Sequence, residues 1–290
     1  MKAGFIMANF ITKESRPGPG ISKDAPEKRK FFFFFEVLGA KFGKLIQLNF
    51  TYILTLIPLL FGLYFSVSLN TENFGKEPLF LIKPDYISII VLVASVFVTG
   101  PATAGFVYVL RNMQRREHAW VWSDFWSQYK KNFLQGSAMA AIDLLAYTFL
   151  YVAFNFYMFI MPQDMPQAGN MMPYLASGVV VLITVVFTWA HFYIYTMMVT
   201  FELKLSKILK NSFIFALGKM PLNIFITLVI GAILWGCLYI LIYSTLAVAL
   251  IFGVILVSLL GFIIVFSTYP TIDKLMLKRA NEEKKRVLKY

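Results

Sequence analysis

Between Lys219 and Asp273 the chain runs without a single charged residue. A helix of that length is too long to cross a bilayer once, since a hydrocarbon core of about 30 Å takes about 20 apolar residues at about 1.5 Å each. The run is therefore read as two spans, Leu222–Tyr243 and Leu246–Pro270, joined by a tight turn near Ser244 and Thr245. The same length test finds four further spans: Leu45–Leu69, Tyr86–Leu110, Gly136–Met161 and Tyr174–Phe201. The expected fold is all-α, a polytopic integral membrane protein with six transmembrane helices.

The basic residues lie outside these runs. Of 290 residues 14% are charged, where soluble domains carry about a quarter. A formal net charge of +12 would suit a nucleic-acid binder if it formed one face. Here 25 of the 27 Lys and Arg lie in the N-terminal tail, the second and fourth loops and the C-terminal tail. The first loop holds the other two, Lys76 and Lys83, and the third and fifth loops hold none. Positive charge accumulates on the cytoplasmic side of multi-pass proteins, so both termini are expected in the cytoplasm and no nucleic-acid partner is expected.

Three parts follow: an extended cytoplasmic tail over 1–30, a membrane domain over 31–270, and a charged C-terminal tail over 271–290, where Glu282 can pair with Arg286. Residues 1–30, with Pro17-Gly18-Pro19-Gly20, bury too little apolar area to fold alone. Phe31 to Phe35, followed by Glu36, Lys41 and Lys44, reads as an interfacial helix over 31–44. The second loop carries Trp120, Trp122, Phe125, Trp126 and Tyr129, then Lys130 and Lys131. Most of those rings fall on one helical face, so this segment is expected to lie on lipid or in a partner's groove, with Ser123 as its cap. Lys204, Lys207 and Lys210 give the fourth loop a similar pattern.

Ionisable groups inside spans are costly and often functional. Asp143 and His191 are the two clear cases, and they stand equally far from the centre of the loop between their helices, near residue 167 or 168. Equal distance predicts equal depth, so the two are expected to face each other, as a proton relay, a polar substrate contact or a structural pair. In the second span, Thr99, Gly100, Pro101 and Thr103 combine a missing backbone donor with small residues. That combination supports either a kinked, closely packed helix or a binding site lined by freed carbonyls. Pro58 and Asn49 mark the first span. No phosphate-binding loop, dinucleotide fingerprint, zinc-helix motif or serine elbow occurs, and Cys237 is the one cysteine. No catalytic residue, cofactor or metal is expected.

Several segments together resemble the YesL family of small membrane proteins from Firmicutes. They are Pro17-Gly18-Pro19-Gly20-Ile21-Ser22-Lys23-Asp24, Phe34-Phe35-Glu36, Lys44-Leu45-Ile46-Gln47-Leu48-Asn49 and Pro58. Further matches are Thr99-Gly100-Pro101-Ala102-Thr103-Ala104, Asp124-Phe125, Lys130-Lys131-Asn132-Phe133, Lys210-Asn211 and Met220-Pro221. The last two spans match only in hydrophobicity, and Thr200 stands where the family often has Arg before a Phe-acid pair.

The resemblance implies a multi-pass protein of a Gram-positive bacterium's cytoplasmic membrane, encoded beside carbohydrate-uptake systems. The function it implies is that of a non-enzymatic accessory membrane subunit of a carbohydrate (oligosaccharide) ABC importer. Its partners would be the lipid bilayer and the permease subunits, with the solute-binding protein or ATPase as further candidates. Two alternatives from other classes are an independent carrier or channel for a small polar solute and a membrane factor for cell-envelope glycan synthesis.

Overall fold

The structure, a computed structural model, describes residues 30–68, 86–161 and 171–277. Outside them fall residues 1–29 of the tail predicted over 1–30, the Glu282–Arg286 pair, Lys76 and Lys83, and the loop centre near residue 167. No strand occurs among the described residues. The first half comprises α1 (Lys30–Ser68), α2 (Tyr86–Gln114), α3 (Val121–Lys131) and α4 (Phe133–Asn155), which continues through a π-helical turn (Phe156–Ile160). After α5 (Met172–Met198) come α6 (Leu205–Gly218) and α7 (Met220–Tyr243). The last span is built of α8 (Thr245–Ile251), a π-helical turn (Phe252–Leu256), α9 (Val257–Ile272) and a final π-helical turn (Asp273–Leu277). Among the described residues six helical runs are long and apolar enough to cross a membrane, so the chain is a multi-pass α-helical membrane protein.

The predicted turn between the last two spans is where the structure breaks. Ser244 separates α7 from α8, and its hydroxyl accepts from the Ala247 amide at 3.2 Å, the bond of an N-cap. Three other expectations need correcting. The interfacial helix over 31–44 is not separate: α1 is one helix of 39 residues, about 58 Å long. Nothing between Phe31 and Leu45 breaks a helix except Gly39 and Gly43, which lie in open space. Its aromatic run is shared between protein and surroundings. Phe33 and Phe34 pack against Phe266 and Phe262 of α9, while Phe31, Phe32 and Phe35 face outward. Secondly, Ser123 is not the cap of α3. That helix starts two residues earlier, and Asp124 accepts the Trp120 amide at 2.9 Å. Thirdly, the C-terminal tail predicted from residue 271 begins as a helical continuation of the last span as far as Leu277.

The centre of the bundle is α2. Its Ala102, Ala104, Val109, Leu110 and Met113 are fully buried, against α1, α3, α4 and α9. Close approach depends on glycine at two places. A Cβ on Gly100 would fall on the carbonyl of Gly136 in α4, and one on Gly136 would lie 2.7 Å from the Pro101 nitrogen. A Cβ on Gly105 would lie 2.6 Å from the Phe125 carbonyl oxygen of α3. The Gly-Pro-Ala segment is therefore a helix-crossing surface, as small residues in membrane helices commonly are.

Polar bonds complete the frame. Pro101 has no N–H, so the carbonyl of Phe97 loses its helical donor. The Ser137 hydroxyl of α4 donates to that oxygen at 3.3 Å. Asn49 of α1 does the same work for the last span. Its Nδ2 donates to the carbonyls of Phe252 (3.0 Å) and Gly253 (2.7 Å), and its Oδ1 accepts the Ser258 amide at 2.8 Å. A π-helical turn disrupts the regular ladder, and this one is repaired by a side chain 203 to 204 residues away in sequence.

The end of the bundle carrying Lys44, Arg111 and Lys131, here called the basic end, is tied together separately. Helix α2 stops in paired bonds, Glu117 N–H to Asn112 O at 2.9 Å and Arg116 N–H to Met113 O at 3.0 Å. These close around Arg116 at φ 58°, a position that glycine normally occupies. The Arg116 side chain pairs with Glu36 at 2.7 Å and lies 4.6 Å over the Phe33 ring. Lys44 donates to the Ala119 carbonyl at 2.8 Å.

Candidate functional site: a neutral ion pair beside an intramembrane pocket

Asp143 of α4 and His191 of α5 meet. His191 Nε2 lies 2.7 Å from Asp143 Oδ1, with each side chain about one-fifth exposed. The other ring nitrogen, Nδ1, lies 2.9 Å from the Phe187 carbonyl oxygen. A carbonyl can only accept, so Nδ1 carries a hydrogen. The Nε2–Oδ1 bond then needs one more proton, held either on the imidazole or on the carboxyl. In both forms the pair has no net charge and one proton lies between the two groups. This is how two ionisable residues can sit at membrane depth without the cost of an isolated charge. The rings of Phe187 (4.7 Å) and Tyr147 (5.9 Å) flank the imidazole, and Tyr147 OH lies 3.3 Å from the Thr188 hydroxyl.

A pocket of about 290 Å³ opens next to Asp143. Thr99, Gly100 and Thr103 line it from α2, Asp143 and Leu144 from α4, and Tyr195 from α5. Thr103 is already engaged, donating to the Thr99 carbonyl at 2.8 Å and bonded to Tyr52 OH at 2.8 Å. Four of the residues singled out from sequence thus share one cavity, while Pro101 is buried in the α2–α4 crossing and His191 lies behind Asp143. Tyr195 and Ser95, also in the lining, were not anticipated. Their signal was weak, one hydroxyl each in an apolar run.

The aromatic loop helix divides. Phe125 is fully buried against Gly105 and is not available to lipid or to a partner, which corrects the expectation for that residue. Trp126 and Tyr129 pack partly against the core, and burial raises the Tyr129 phenol above its usual range. Trp120 and Trp122 are 71% and 54% exposed, and Lys130 and Lys131 are also exposed. The ring periodicity predicted one face correctly, but the face is turned toward α2. Only the two tryptophans and two lysines remain for an outside contact.

A family model described as "Protein of unknown function, DUF624" matches residues 45–154. The match runs from the buried Leu45 of α1 through the Gly100–Gly136 crossing and Asp143, and stops before α5, so His191 lies outside it. No curated protein and no solved structure matches the chain.

Proposed function

We propose that the protein is a non-enzymatic accessory subunit that assembles laterally with the permease of a bacterial carbohydrate ABC importer, with its basic end in the cytoplasm. The matched domain is that of YesL-like membrane proteins, in keeping with the sequence resemblance. The observation that carries a lateral-assembly role is α7. Trp189 Nε1 donates to the Thr227 hydroxyl at 2.9 Å and Tyr193 OH donates to Asn223 at 2.7 Å. Beyond Ile226 no residue of α7 is buried. Asn49, Thr103, Asp143 and His191, by contrast, bond internally. That leaves the reading of a frame with one bare helix for a neighbour. The test is purification of the C-terminally tagged protein from native membranes in mild detergent, with mass spectrometry of what accompanies it. A stoichiometric permease is the expected result. If none accompanies it and deletion leaves sugar uptake unchanged, the reading is wrong.

A second reading has its own observation, the pocket beside Asp143. A carrier for a small polar solute would use Thr99, Thr103 and Tyr195 to bind, and the Asp143–His191 proton to couple. Uptake into liposomes by the purified protein alone, abolished by Asp143→Ala, would replace the accessory reading.

A further inference from the structure

A second cavity, of about 570 Å³, lies at the basic end where α2, α3 and the ends of α5 and α9 converge. Arg111, Arg115 and Lys131 line it with Gln128, Thr200 and Tyr269, and Asp273 is the one carboxylate in its wall. Arg111 is the unusual member, because it is more than nine-tenths buried. Among the described residues no carboxylate lies within ion-pairing distance of it.

Its donors account for its place only in part. Nη1 donates to the Val199 carbonyl at 2.6 Å and the Thr200 hydroxyl at 3.2 Å, which caps the C-terminus of α5. Nη2 donates to Asn112 Oδ1 at 3.1 Å, and Tyr108 lies under the guanidinium at 4.6 Å. A guanidinium has five N–H groups. Two are left, one of them on Nε, which is buried without a partner. Capping α5 therefore explains one edge of Arg111 and leaves a buried cation with donors to spare. Burying a charge without a counter-charge is expensive.

From this we infer that the cavity binds a phosphoryl group carried by a small organic molecule, either an anionic phospholipid headgroup or a soluble sugar phosphate. Three cations against one carboxylate match the one or two charges of a phosphate ester, and arginine suits its geometry. The volume lies within the usual range for small-molecule sites and is too large for bare phosphate. The two surface cations already line the cavity. Arg115 pairs with Glu117 at 2.8 Å and Lys131 with Glu202 at 3.8 Å, both in exposed pairs of a kind that contributes little. A ligand here would touch α2, α3, α5 and α9 at once. The inference does not depend on which protein, if any, covers α7.

Native mass spectrometry of the full-length protein in mild detergent tests it. The probes are dioleoylphosphatidylglycerol and glucose 6-phosphate, with dioleoylphosphatidylcholine and glucose as controls. One anionic probe should bind at one copy per chain in preference to its control, and which one does so identifies the source. The variant R115Q/K131Q changes only exposed side chains and should keep the fold. It should weaken binding at least tenfold, and R111Q should abolish it. Binding of neither probe, or a weakening short of tenfold in R115Q/K131Q, overturns the proposal.

Discussion

Helices α2 and α7 are both single apolar spans, yet their surroundings differ sharply. In the most apolar stretch of α2, 59% of residues are buried inside the protein, against 6% for α7. The more hydrophobic of the two is the bare one, with a mean hydropathy of 2.5 against 1.7. In water that order would be paradoxical. In lipid it is expected, because acyl chains solvate leucine as well as another helix does, and association depends on close backbone approach and hydrogen bonds. Helix α2 has both, in Gly100, Gly105 and the Tyr52–Thr103 bond. Helix α7 has Gly231 and Gly236 facing open space and its two hydrogen bonds to α5 confined to the end nearest Lys219.

The contrast can be broken most directly at the glycines. Gly100→Leu should be the most damaging change, costing about 3 kcal/mol or more by overpacking and removing the monodisperse peak in size-exclusion chromatography. Gly231→Leu in α7 should leave that peak and the unfolding temperature alone. Equal damage from the two would mean that the buried and bare helices are not distinguished by packing. Next in size is Asn49→Leu, which orphans two carbonyls and one amide of the last span. A loss of about 2 kcal/mol is expected, read as a lowered midpoint of thermal unfolding, with Thr51→Val as the nearby control.

The Asp143–His191 pair sharpens the comparison, since its bond holds α5 to α4. A double-mutant cycle with Asp143→Asn and His191→Gln should give a coupling of about 1 kcal/mol; additivity would show that the bond holds nothing. The smallest signal belongs to Cys237, partly exposed on α7. A fluorophore attached there should be quenched by brominated lipid in the isolated protein and protected in any complex with a permease. Equal quenching in both states would remove α7 as the contact face.

Much of the fold was legible because bilayer thickness sets helix length, which recovers all six spans and the break at Ser244. Asp143 and His191 were legible for a related reason, since a hairpin maps equal sequence distance onto equal depth. The direction of α3 was not. Ring spacing defines a face but not what it meets, and only Gly105 under Phe125 decides that. Ser137 and Asn49 were illegible in role because their partners are backbone carbonyls, which have no sequence signature. Arg111 was counted as one of the cytoplasmic charges, and its burial depends on four elements that converge far apart in the chain.

Asn49 also has a consequence for the order in which the protein is made. The amide leaves the ribosome with the first span, but its last partner, Ser258, is synthesised 209 residues later. At about 5 to 20 residues per second that is a wait of roughly ten to forty seconds. Throughout it the first span carries an unanswered polar group, and a chain truncated before its final helix would carry it permanently. Arrival of the last described span is thus recorded inside the membrane, at a residue of the first.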